Sequence, residues 1–330
     1  MLQTKDLAVV ILNWNGKALL EQFLPSVIKY SSDAVIYVAD NASTDDSVEF
    51  IAKTFPTVKV IKNTENGGYA KGYNEALQHV EEPLLCLLNS DIEVTKNWLQ
   101  PIVSEFSTNE NTAIIQPKIL DFKNKSLFEY AGAAGGFIDK YGYPYCRGRI
   151  FDTIEQDNGQ YNDTRDIFWA SGACLFIRKS VFRTLKGFDE SYFAHMEEID
   201  LCWRAFNANY TIKYVGTSTV NHVGGATLSN TNPRKTYLNF RNSLFTLLKN
   251  TDSKVFVRIV ARMLLDGVAG VRFLFQLKPA FFLAILKAHF SFYSNLPRLI
   301  KQRNLLSQRA NYYESNSIVW SYFIKNRRTF

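Results

Sequence analysis

Acidic and amide side chains follow directly after several apolar segments of this 330-residue chain. The sharpest case is Asn89-Ser90-Asp91, which comes at the end of the apolar run LLCLL. Carboxylate oxygens are ligands that suit Mg²⁺ and Mn²⁺, usually together with the phosphates of a substrate. Asp91 is therefore a candidate ligand of a divalent metal, and a helix cap is the structural alternative.

A histidine and a cluster of acids stand further along the chain. His222 follows a strand-like stretch and could complete a metal site with Asp91, because imidazole also binds Mn²⁺, although a lone histidine is more often structural. Glu197, Glu198 and Asp200 place three carboxylates within four residues. Such crowding raises the pKa of at least one of them, as a general base requires. Acids are equally common in the first turn of a helix.

Two other polar segments suit a nucleotide. Asp40 ends the apolar run AVIYVA and could accept a hydrogen bond from a nucleobase or a ribose, although Asp-Asn-x-Ser is also good turn chemistry. The segment NGGYAKG at 66–72 opens a predicted helix, where glycines let backbone N–H groups approach phosphate and Lys71 offers a positive charge to a diphosphate. A plain turn is the alternative. Neither this segment nor NWNG at 13–16 matches GxGxxG, which disfavours a nicotinamide-dependent oxidoreductase.

Alternating strands and helices must position these residues. Apolar runs of strand length alternate with helical periodicity through the first 120 residues, and Ser43 or Thr44 is the expected N-cap of the second helix. Strand-helix repetition predicts an α/β sheet with helices on both faces, in which ligands bind beyond the carboxyl ends of the strands. The predicted strands are 7–12, 34–39, 58–61 and 84–88.

Charge and cysteine content indicate the cellular compartment and the kinds of partner to expect. Residues 1–250 carry 25 Lys and Arg against 28 Asp and Glu, whereas residues 251–330 carry 13 against 3, a net charge of +10. The cysteines form no CxxC pair, which predicts a reducing compartment and no zinc site. No signal-peptide pattern is present near Met1, and we expect a cytoplasmic protein. The cysteines are Cys86, Cys146, Cys174 and Cys202.

The basic C-terminal segment has two interpretations. Its apolar stretches at 255–296 are interrupted by charges, and Arg258, Arg262 and Asp266 share one face of a predicted helix. Because no run of about 18 uncharged apolar residues occurs, these helices are too polar to span a bilayer. They either lie on an anionic membrane or pack on the rest of the chain. Nucleic acid is a less suitable partner, because the charge is mixed with long aliphatic runs.

At this point the chain resembles the family 2 glycosyltransferases, particularly their rhamnosyltransferase-like branch, over roughly residues 7–250. The resemblance implies a GT-A fold with a mixed sheet and a C-terminal helical extension. It divides the chain into a catalytic domain at 1–250, with a nucleotide-sugar half at 1–120 and an acceptor half at 121–250, and the extension at 251–330. The matching segments, in family order, are VILNWN, VADNASTDDS, NTENGGYAKGYNEAL, LLNSDIEV, WASGACLFIRKSVF, GFDESYFAHMEEIDLCWR, NHVGGAT and YLNFRNSL.

The resemblance also implies a role for each matching position. Asp91 and His222 would hold a divalent metal, Mg²⁺ or Mn²⁺, that bridges the donor diphosphate. Glu197 and Glu198 match the family's Glu-Asp pair, whose second member is the catalytic base. The nucleotide-sugar side would comprise Asp40 at the nucleobase with Asn13, Asn41 and Ser43 beside it, together with Asn66, Gly68, Lys71, Asn74 and Asn89, and the acceptor side Trp169, Gly172 and Asp200.

The implied reaction is a single displacement. Glu198 takes the proton of an acceptor hydroxyl as that oxygen attacks the anomeric carbon, so the configuration inverts. The donors of the family carry dTDP, UDP or GDP, and L-rhamnose from dTDP-rhamnose is the leading expectation. A saccharide or lipid-linked acceptor in surface-polysaccharide synthesis follows, at the inner face of the cell membrane. Asn89 stands where many relatives have Asp in the DxD motif, which implies a lower metal affinity, and Glu198 stands where Asp is more usual, which leaves the base assignment within the acidic pair open. The alternative function is a catalytically inactive sugar-nucleotide-binding protein, against which the retained Asp91, Glu198 and His222 argue.

Overall fold

Strands and helices alternate through the first part of the computed structural model, which describes residues 2–224 and 232–330. The apolar runs predicted at 7–12, 34–39 and 84–88 are buried strands with both faces covered, whereas the run at 58–61 becomes an edge strand that is only partly buried. The elements are β1 (Leu7–Asn13), α1 (Lys17–Tyr30), β2 (Val35–Asp40), α2 (Ser47–Thr54), β3 (Lys59–Lys62), α3 (Gly68–Ala76), β4 (Leu84–Asn89), β5 (Ile92–Val94) and α4 (Leu99–Thr108).

The second part of the chain adds the remaining strands and helices. They are β6 (Thr112–Asp121), β7 (Gly136–Ile138), β8 (Pro144–Cys146), β9 (Arg149–Ile150), β10 (Thr153–Ile154), β11 (Thr164–Ile167), β12 (Cys174–Arg178), α5 (Lys179–Thr184), α6 (Glu197–Asn207), β13 (Thr211–His222), α7 (Pro233–Asn250), α8 (Val255–Phe275), α9 (Pro279–Asn304) and α10 (Ile318–Phe323).

The main sheet is mixed. Its strand order is β11-β13-β6-β12-β4-β1-β2-β3, with β5 paired to β13. The strands β4, β1, β2 and β3 are parallel, whereas β12 runs antiparallel to both β4 and β6. The strand order therefore reverses direction around β1, which places a crevice at the carboxyl ends of β1 and β4. The expected α/β sheet with helices is confirmed.

A small sheet covers one side of the main one. The strands β7 to β10 pair antiparallel in the order β10-β9-β8-β7, within the Gly- and Tyr-rich stretch of the sequence. Tyr145, Cys146 and Ile150 of this sheet are buried against the core that also contains Trp169 and Trp203. The two sheets are thus joined by shared apolar packing.

The C-terminal helices pack on the rest of the chain. Ile259, Phe292, Leu299, Tyr312 and Ile318 belong to the same hydrophobic cluster as the inner face of the sheet. The expected boundary at residue 250 stays a prediction, but residues on either side of it share one core. None of the helices in residues 2–224 and 232–330 is long and apolar enough to cross a membrane.

Candidate active site

The carboxyl ends of β1 and β2 bring three of the predicted residues together. Asn13 lies beside Asp40 in the parallel register, and its Nδ2 donates to Asp40 Oδ1 at 3.0 Å and to Ser43 Oγ at 3.2 Å. The backbone N–H of Ser43 donates to Asp40 Oδ2 at 3.0 Å. The expected capping role of Ser43 or Thr44 is wrong, because α2 begins after Asp46. Ser43 instead orients the Asp40 carboxylate.

The loop that follows β3 is tied to the end of β2. Asn41 Nδ2 donates to Asn66 Oδ1 at 3.0 Å and to the carbonyl of Gly68 at 3.2 Å. Gly68 has a φ of +78°, and a Cβ there would lie 2.5 Å from the carbonyl oxygen of Phe193. Only glycine suits this position, so the loop passes directly under the turn that precedes α6.

Two residues predicted for the nucleotide side are engaged by other side chains. Lys71 forms ion pairs with Glu65 and Glu75 on the surface. Asn74 bridges to the backbone of Phe188, donating to its carbonyl and accepting from its N–H, each at 2.9 Å. Lys71 would have to leave its carboxylate partners to reach a diphosphate, and the role of both residues stays a prediction.

Asp91 and His222 converge at the end of β4. Asp91 Oδ1 lies 3.1 Å from His222 Nε2, both residues are buried, and Asn89 Nδ2 lies 3.5 Å from the same nitrogen. Glu129 stands on the other side of the ring, with Oε1 3.4 Å from Nδ1. Burial lowers the pKa of His222, but hydrogen bonding and charge from Asp91 and Glu129 outweigh it and raise that pKa to about 10.

The donor set suits a divalent cation that shares its ligands with a substrate. Across residues 2–224 and 232–330, no group of three or more His, Cys, Asp and Glu side chains has the arrangement of a metal site. Asp91 and His222 supply one carboxylate and one imidazole. Mg²⁺ is commonly held by one or two carboxylates plus substrate phosphates, and imidazole and carboxylate both bind Mn²⁺. Two protein ligands therefore fit a metal that binds together with a diphosphate.

Glu197 and Glu198 begin α6, after a turn with unusual backbone geometry. His195 and Met196 both have positive φ values, 71° and 72°. Burial raises the pKa of Glu198 to about 7, against hydrogen bonds from backbone N–H groups that lower it. The pKa of Glu197 is raised as well, by burial and then by the charge of Glu198. A carboxylate with such a pKa is suited to accept a proton near neutral pH.

Tyr69 connects the acidic pair to the sheet edge. Its backbone N–H donates to the carbonyl of Phe193 at 3.0 Å, and its hydroxyl donates to the carbonyl of Gly172 at 2.8 Å. Burial raises the pKa of Tyr69, and the charges of Glu197 and Glu198 are among the neighbours that add to this. The next residue, Ala173, accepts a hydrogen bond from the backbone N–H of Asn89. These contacts connect the turn before Glu197 and Glu198 to the end of β4 next to Asp91.

Two residues predicted for the acceptor have their polar atoms turned into the protein. Trp169 is buried, and its Nε1 donates to the carbonyl of Phe137 at 2.7 Å. Asp200 is fully buried, paired with Arg204 at 2.8 Å and Lys249 at 3.0 Å. Burial raises the pKa of Asp200, but those two cations outweigh it and hold that pKa below its usual value. These contacts are typical of residues that support the site rather than contact a ligand.

Sequence reasoning missed Glu129. It lies outside the matching segments, and the only signal was its position before Ala131-Gly132 in a glycine-rich stretch. Gly224 has a φ of +69°, and a Cβ there would lie 2.9 Å from Glu129 Oε1. The absence of a side chain at Gly224, the first glycine of the NHVGGAT segment, therefore leaves room for the Glu129 carboxylate. The rest of that segment, 225–227, lies outside the described residues.

Comparison with known proteins places these residues in a family. The family model for glycosyl transferase family 2 matches residues 8–186, more than half of the chain. The N-acetylglucosaminyl-diphospho-decaprenol L-rhamnosyltransferase of Mycobacterium tuberculosis is 26% identical over 236 residues, which is 66% of this chain and 76% of that protein.

Solved structures share the fold. GalNAc-T7, crystallised with UDP, GalNAc and Mn²⁺, superposes with a TM-score of 0.59 at 19% identity and covers 74% of this chain, although the chain spans only 48% of that protein. The mannosyltransferase PcManGT from Pyrobaculum calidifontis, in complex with GDP-Man and Mn²⁺, gives a TM-score of 0.55 at 12% identity and covers 87% of both chains. The chain therefore has a GT-A fold with a C-terminal helical region.

Proposed function

The chain is a glycosyltransferase of family 2, and we propose that it uses a divalent metal to transfer a hexosyl group from a nucleotide-diphosphate sugar to an acceptor hydroxyl, with inversion. One observation carries the proposal. A continuous series of contacts links the Asp91–His222 pair to the Glu197–Glu198 pair, through Asn89, the Gly172–Ala173 backbone and Tyr69. A cation site beside a carboxylate of raised pKa is the combination that sugar transfer from a diphosphate requires.

Each group of residues has its own role in the proposed reaction. Asp40, oriented by Asn13 and Ser43, accepts from the nucleobase or ribose of the donor. Asp91 and His222 would hold Mg²⁺ or Mn²⁺, which supplies neutralisation of the charge that develops on the leaving diphosphate. Glu198 accepts the proton of the acceptor hydroxyl as the new glycosidic bond forms, so no covalent enzyme intermediate is needed.

The leading donor in this proposal is dTDP-L-rhamnose. Its support is the similarity to a protein named as an L-rhamnosyltransferase that acts on N-acetylglucosaminyl-diphospho-decaprenol. The same name supports a lipid-linked saccharide as the acceptor. A role in surface-polysaccharide synthesis is part of the proposal. The alternative is a sugar-nucleotide-binding protein without turnover, against which the retained Asp91, Glu198 and His222 argue.

A thermal-shift screen tests the choice of donor. The full chain is heated with dTDP-, UDP- and GDP-sugars, each with and without Mn²⁺. A ligand that binds only the folded state raises the melting temperature, and we expect the largest shift for dTDP-rhamnose with Mn²⁺. A larger shift with a UDP- or GDP-sugar would reject the rhamnose assignment. A shift without any release of nucleoside diphosphate would favour the inactive binding protein.

The C-terminal helices support a place at an anionic membrane surface. Three of the four charged residues of α8, namely Arg258, Arg262 and Asp266, are buried, and Arg262 lies 2.8 Å from Asp266 and 3.8 Å from the ring centroid of Tyr143. Most large apolar residues of α8 are exposed, as are several in the α8–α9 turn and in α9, although Ile259 is buried, so this helix has largely the reverse of the usual polarity. We call the exposed set the apolar ridge; it comprises Phe256, Val257, Leu264, Val268, Val271, Phe275, Leu277, Leu283 and Phe290.

Charge complementarity favours lipid as the occupant of the apolar ridge. Phe275 and Leu277 are 85% and 88% exposed and belong to a larger exposed set. Single exposed apolar residues are normal, whereas a large exposed apolar patch marks an interaction or membrane site. Basic residues flank the ridge, as membrane-surface helices require. The flanking basic residues, all exposed, are Lys254, Arg272, Lys278, Lys287 and Lys301.

The apolar ridge also lies near the proposed acceptor side. Ser291 of α9 accepts a hydrogen bond from Tyr237 of α7 at 3.2 Å. One turn earlier on α7, Arg234 stacks over the ring of Phe193, 5.0 Å from its centroid, in the turn before the acidic pair. This proximity supports an acceptor whose lipid chain stays in the membrane while its sugar enters the crevice.

A further inference from the structure

The turn before the acidic pair has a backbone that its sequence does not favour. Phe193, His195 and Met196 have φ values of 65°, 71° and 72°, and none of them is glycine. Left-handed conformations are unfavourable for residues with a Cβ, and three within four positions persist only where the surroundings impose them. The turn ends at Glu197, so its geometry sets the direction of the first turn of α6.

Asn242 of α7 makes most of the side-chain hydrogen bonds that hold this turn. Asn242 is fully buried, and its Nδ2 donates to the carbonyls of Tyr192, Ala194 and His195 at 3.1, 3.0 and 2.7 Å. Its Oδ1 accepts from Nε of Arg241 at 2.8 Å. An amide is suited to this position because it supplies two N–H donors and one acceptor.

Arg241 extends the same contact. Its guanidinium donates to the carbonyls of Ser191 and Tyr192 at 3.0 and 3.1 Å. Together the two neighbours engage four carbonyls between residues 191 and 195. Both belong to the YLNFRNSL segment, to which the proposed chemistry assigns no role.

We propose that Asn242 is a positioning residue for glycosyl transfer, which fixes the left-handed turn and so aims the Glu198 carboxylate at the acceptor hydroxyl. The inference rests on the proposed function, because it takes Glu198 as the base. Asn242 reaches the turn only through backbone carbonyls. Within the described residues, Asn242 makes no hydrogen bond of its own to the donor-binding edge at Asp40 and Asp91, so we expect its main effect on the reaction to pass through Glu198.

Asn242→Ala tests the inference, with Asn207→Ala as the matched control. Asn207 is also a buried asparagine, on α6, and its Nδ2 donates to the carbonyl of Asn250 at 3.1 Å without touching the turn. We expect kcat of Asn242→Ala to fall by about tenfold or more, because a small misplacement of a catalytic group is costly. The donor Kd from calorimetry should stay within about twofold, as expected for a site the change does not reach.

The control should lose melting temperature to a similar extent while its kcat stays within about twofold of the wild type. If Asn242→Ala does not fold, Arg241→Ala replaces it, since Arg241 is only partly buried and its loss removes two of the turn contacts. A smaller fall in kcat with unchanged donor Kd is then expected. Unchanged kcat in the folded variant, or an equal loss in the control, overturns the inference.

A double-mutant cycle separates positioning from general support. If Asn242 acts through Glu198, Asn242→Ala adds little to the loss already caused by Glu198→Gln, because residues that act as a unit are not additive. Additive losses would show that Asn242 supports the fold alone. If Glu198→Gln retains full activity, the proposed base is wrong. If Glu198→Gln is impaired but Asn242→Ala is not, only the positioning role is wrong.

Discussion

Asp91 is the residue on which the proposed metal chemistry depends. It is buried at the end of β4, and its carboxylate lies against His222. Asp91→Ala should lower Mn²⁺-dependent turnover by about 10²-fold or more, since a cation contributes several kcal/mol to stabilising the charge of a leaving group. The measurement is initial rate against Mn²⁺ concentration.

The control for Asp91 is Asp166→Ala, an exposed carboxylate on β11 whose loss should leave the rate unchanged. Circular dichroism should show that both variants are folded. Near-normal turnover of Asp91→Ala, or full activity of the wild type in EDTA, would contradict the proposal that Asp91 binds a metal needed for turnover.

The second prediction about a single residue concerns Glu198, the proposed base. Glu198→Gln keeps the shape of the side chain and removes the proton acceptor, so kcat should fall by about 10²-fold or more. In the wild type, kcat should rise with pH as Glu198 loses its proton, with a midpoint near its pKa of about 7. The same rise should be absent from the residual activity of Glu198→Gln.

Glu197→Gln is the matched variant, one residue away in the same acidic pair. If it loses more turnover than Glu198→Gln, the two assignments within the pair are exchanged. If neither variant is impaired, the base lies elsewhere in the crevice.

The sequence was informative about these residues where a polar side chain directly follows a buried strand. Asn13 and Asp40 lie at the ends of β1 and β2 as the pattern predicts, and Asp91 lies two residues beyond β4, while their roles stay predictions. Asp200 was placed on the acceptor side, yet it pairs with Lys249 of α7, a partner 49 positions away that no local pattern could reveal. Glu129 was missed for the same reason, since only the folded chain brings it to His222.

At the scale of elements, the sequence periodicity of α8 predicts which residues share a helix face, but not which face contacts the rest of the protein. The spacing of Arg258, Arg262 and Asp266 correctly placed them on one face of a helix. It left open which face meets the protein. Tyr143 and the carbonyl groups of Tyr141 and Gly142 receive the charged face, and these partners come from the small sheet.

The apolar ridge of α8 leads to a prediction about membrane binding. Phe256→Ser, Leu264→Ser and Phe275→Ser combined in the full chain should abolish co-sedimentation with vesicles that contain anionic lipid. The wild type should bind such vesicles, and more weakly as salt rises, because each basic residue near an anionic surface contributes about 1 kcal/mol. Activity on a soluble acceptor should be unchanged, since the ridge lies outside the crevice.

The control is Ile154→Ser, which removes an exposed apolar side chain on the small sheet, away from the ridge. Its binding to anionic vesicles should equal that of the wild type. Binding that survives the triple substitution would exclude the ridge as the membrane contact, and concentration-dependent dimers lost in the triple variant would identify a second copy of the chain as the occupant.

The whole molecule behaves as one packed unit rather than as a catalytic domain with a loose tail. Arg303 of α9 donates to the carbonyls of Leu248 and Asp252, and Ile318 donates its N–H to Asp139 of the small sheet. Phe330 packs against Phe137. Composition could show that the tail is basic and apolar, but not that its inner side completes the core.

A chain that ends at Asn250 should therefore not fold stably. Truncation removes several large buried side chains from the shared core, and each such loss costs about 2–5 kcal/mol, against a total stability of about 5–15 kcal/mol. Thermal unfolding by circular dichroism should show no cooperative transition for the truncated chain. A folded, active fragment would show that residues 251–330 form an independent extension.

The central claim is that this crevice transfers sugar from a nucleotide-diphosphate donor with a divalent metal and the Glu198 base. Release of nucleoside diphosphate from dTDP-rhamnose, measured with purified full chain, Mn²⁺ and a lipid-linked saccharide acceptor, tests it most directly. We predict release that depends on the acceptor, stops in EDTA and falls by about 10²-fold in Glu198→Gln. Absence of release from dTDP-, UDP- and GDP-linked sugars alike, or release that is equal in EDTA and in Glu198→Gln, would contradict the account.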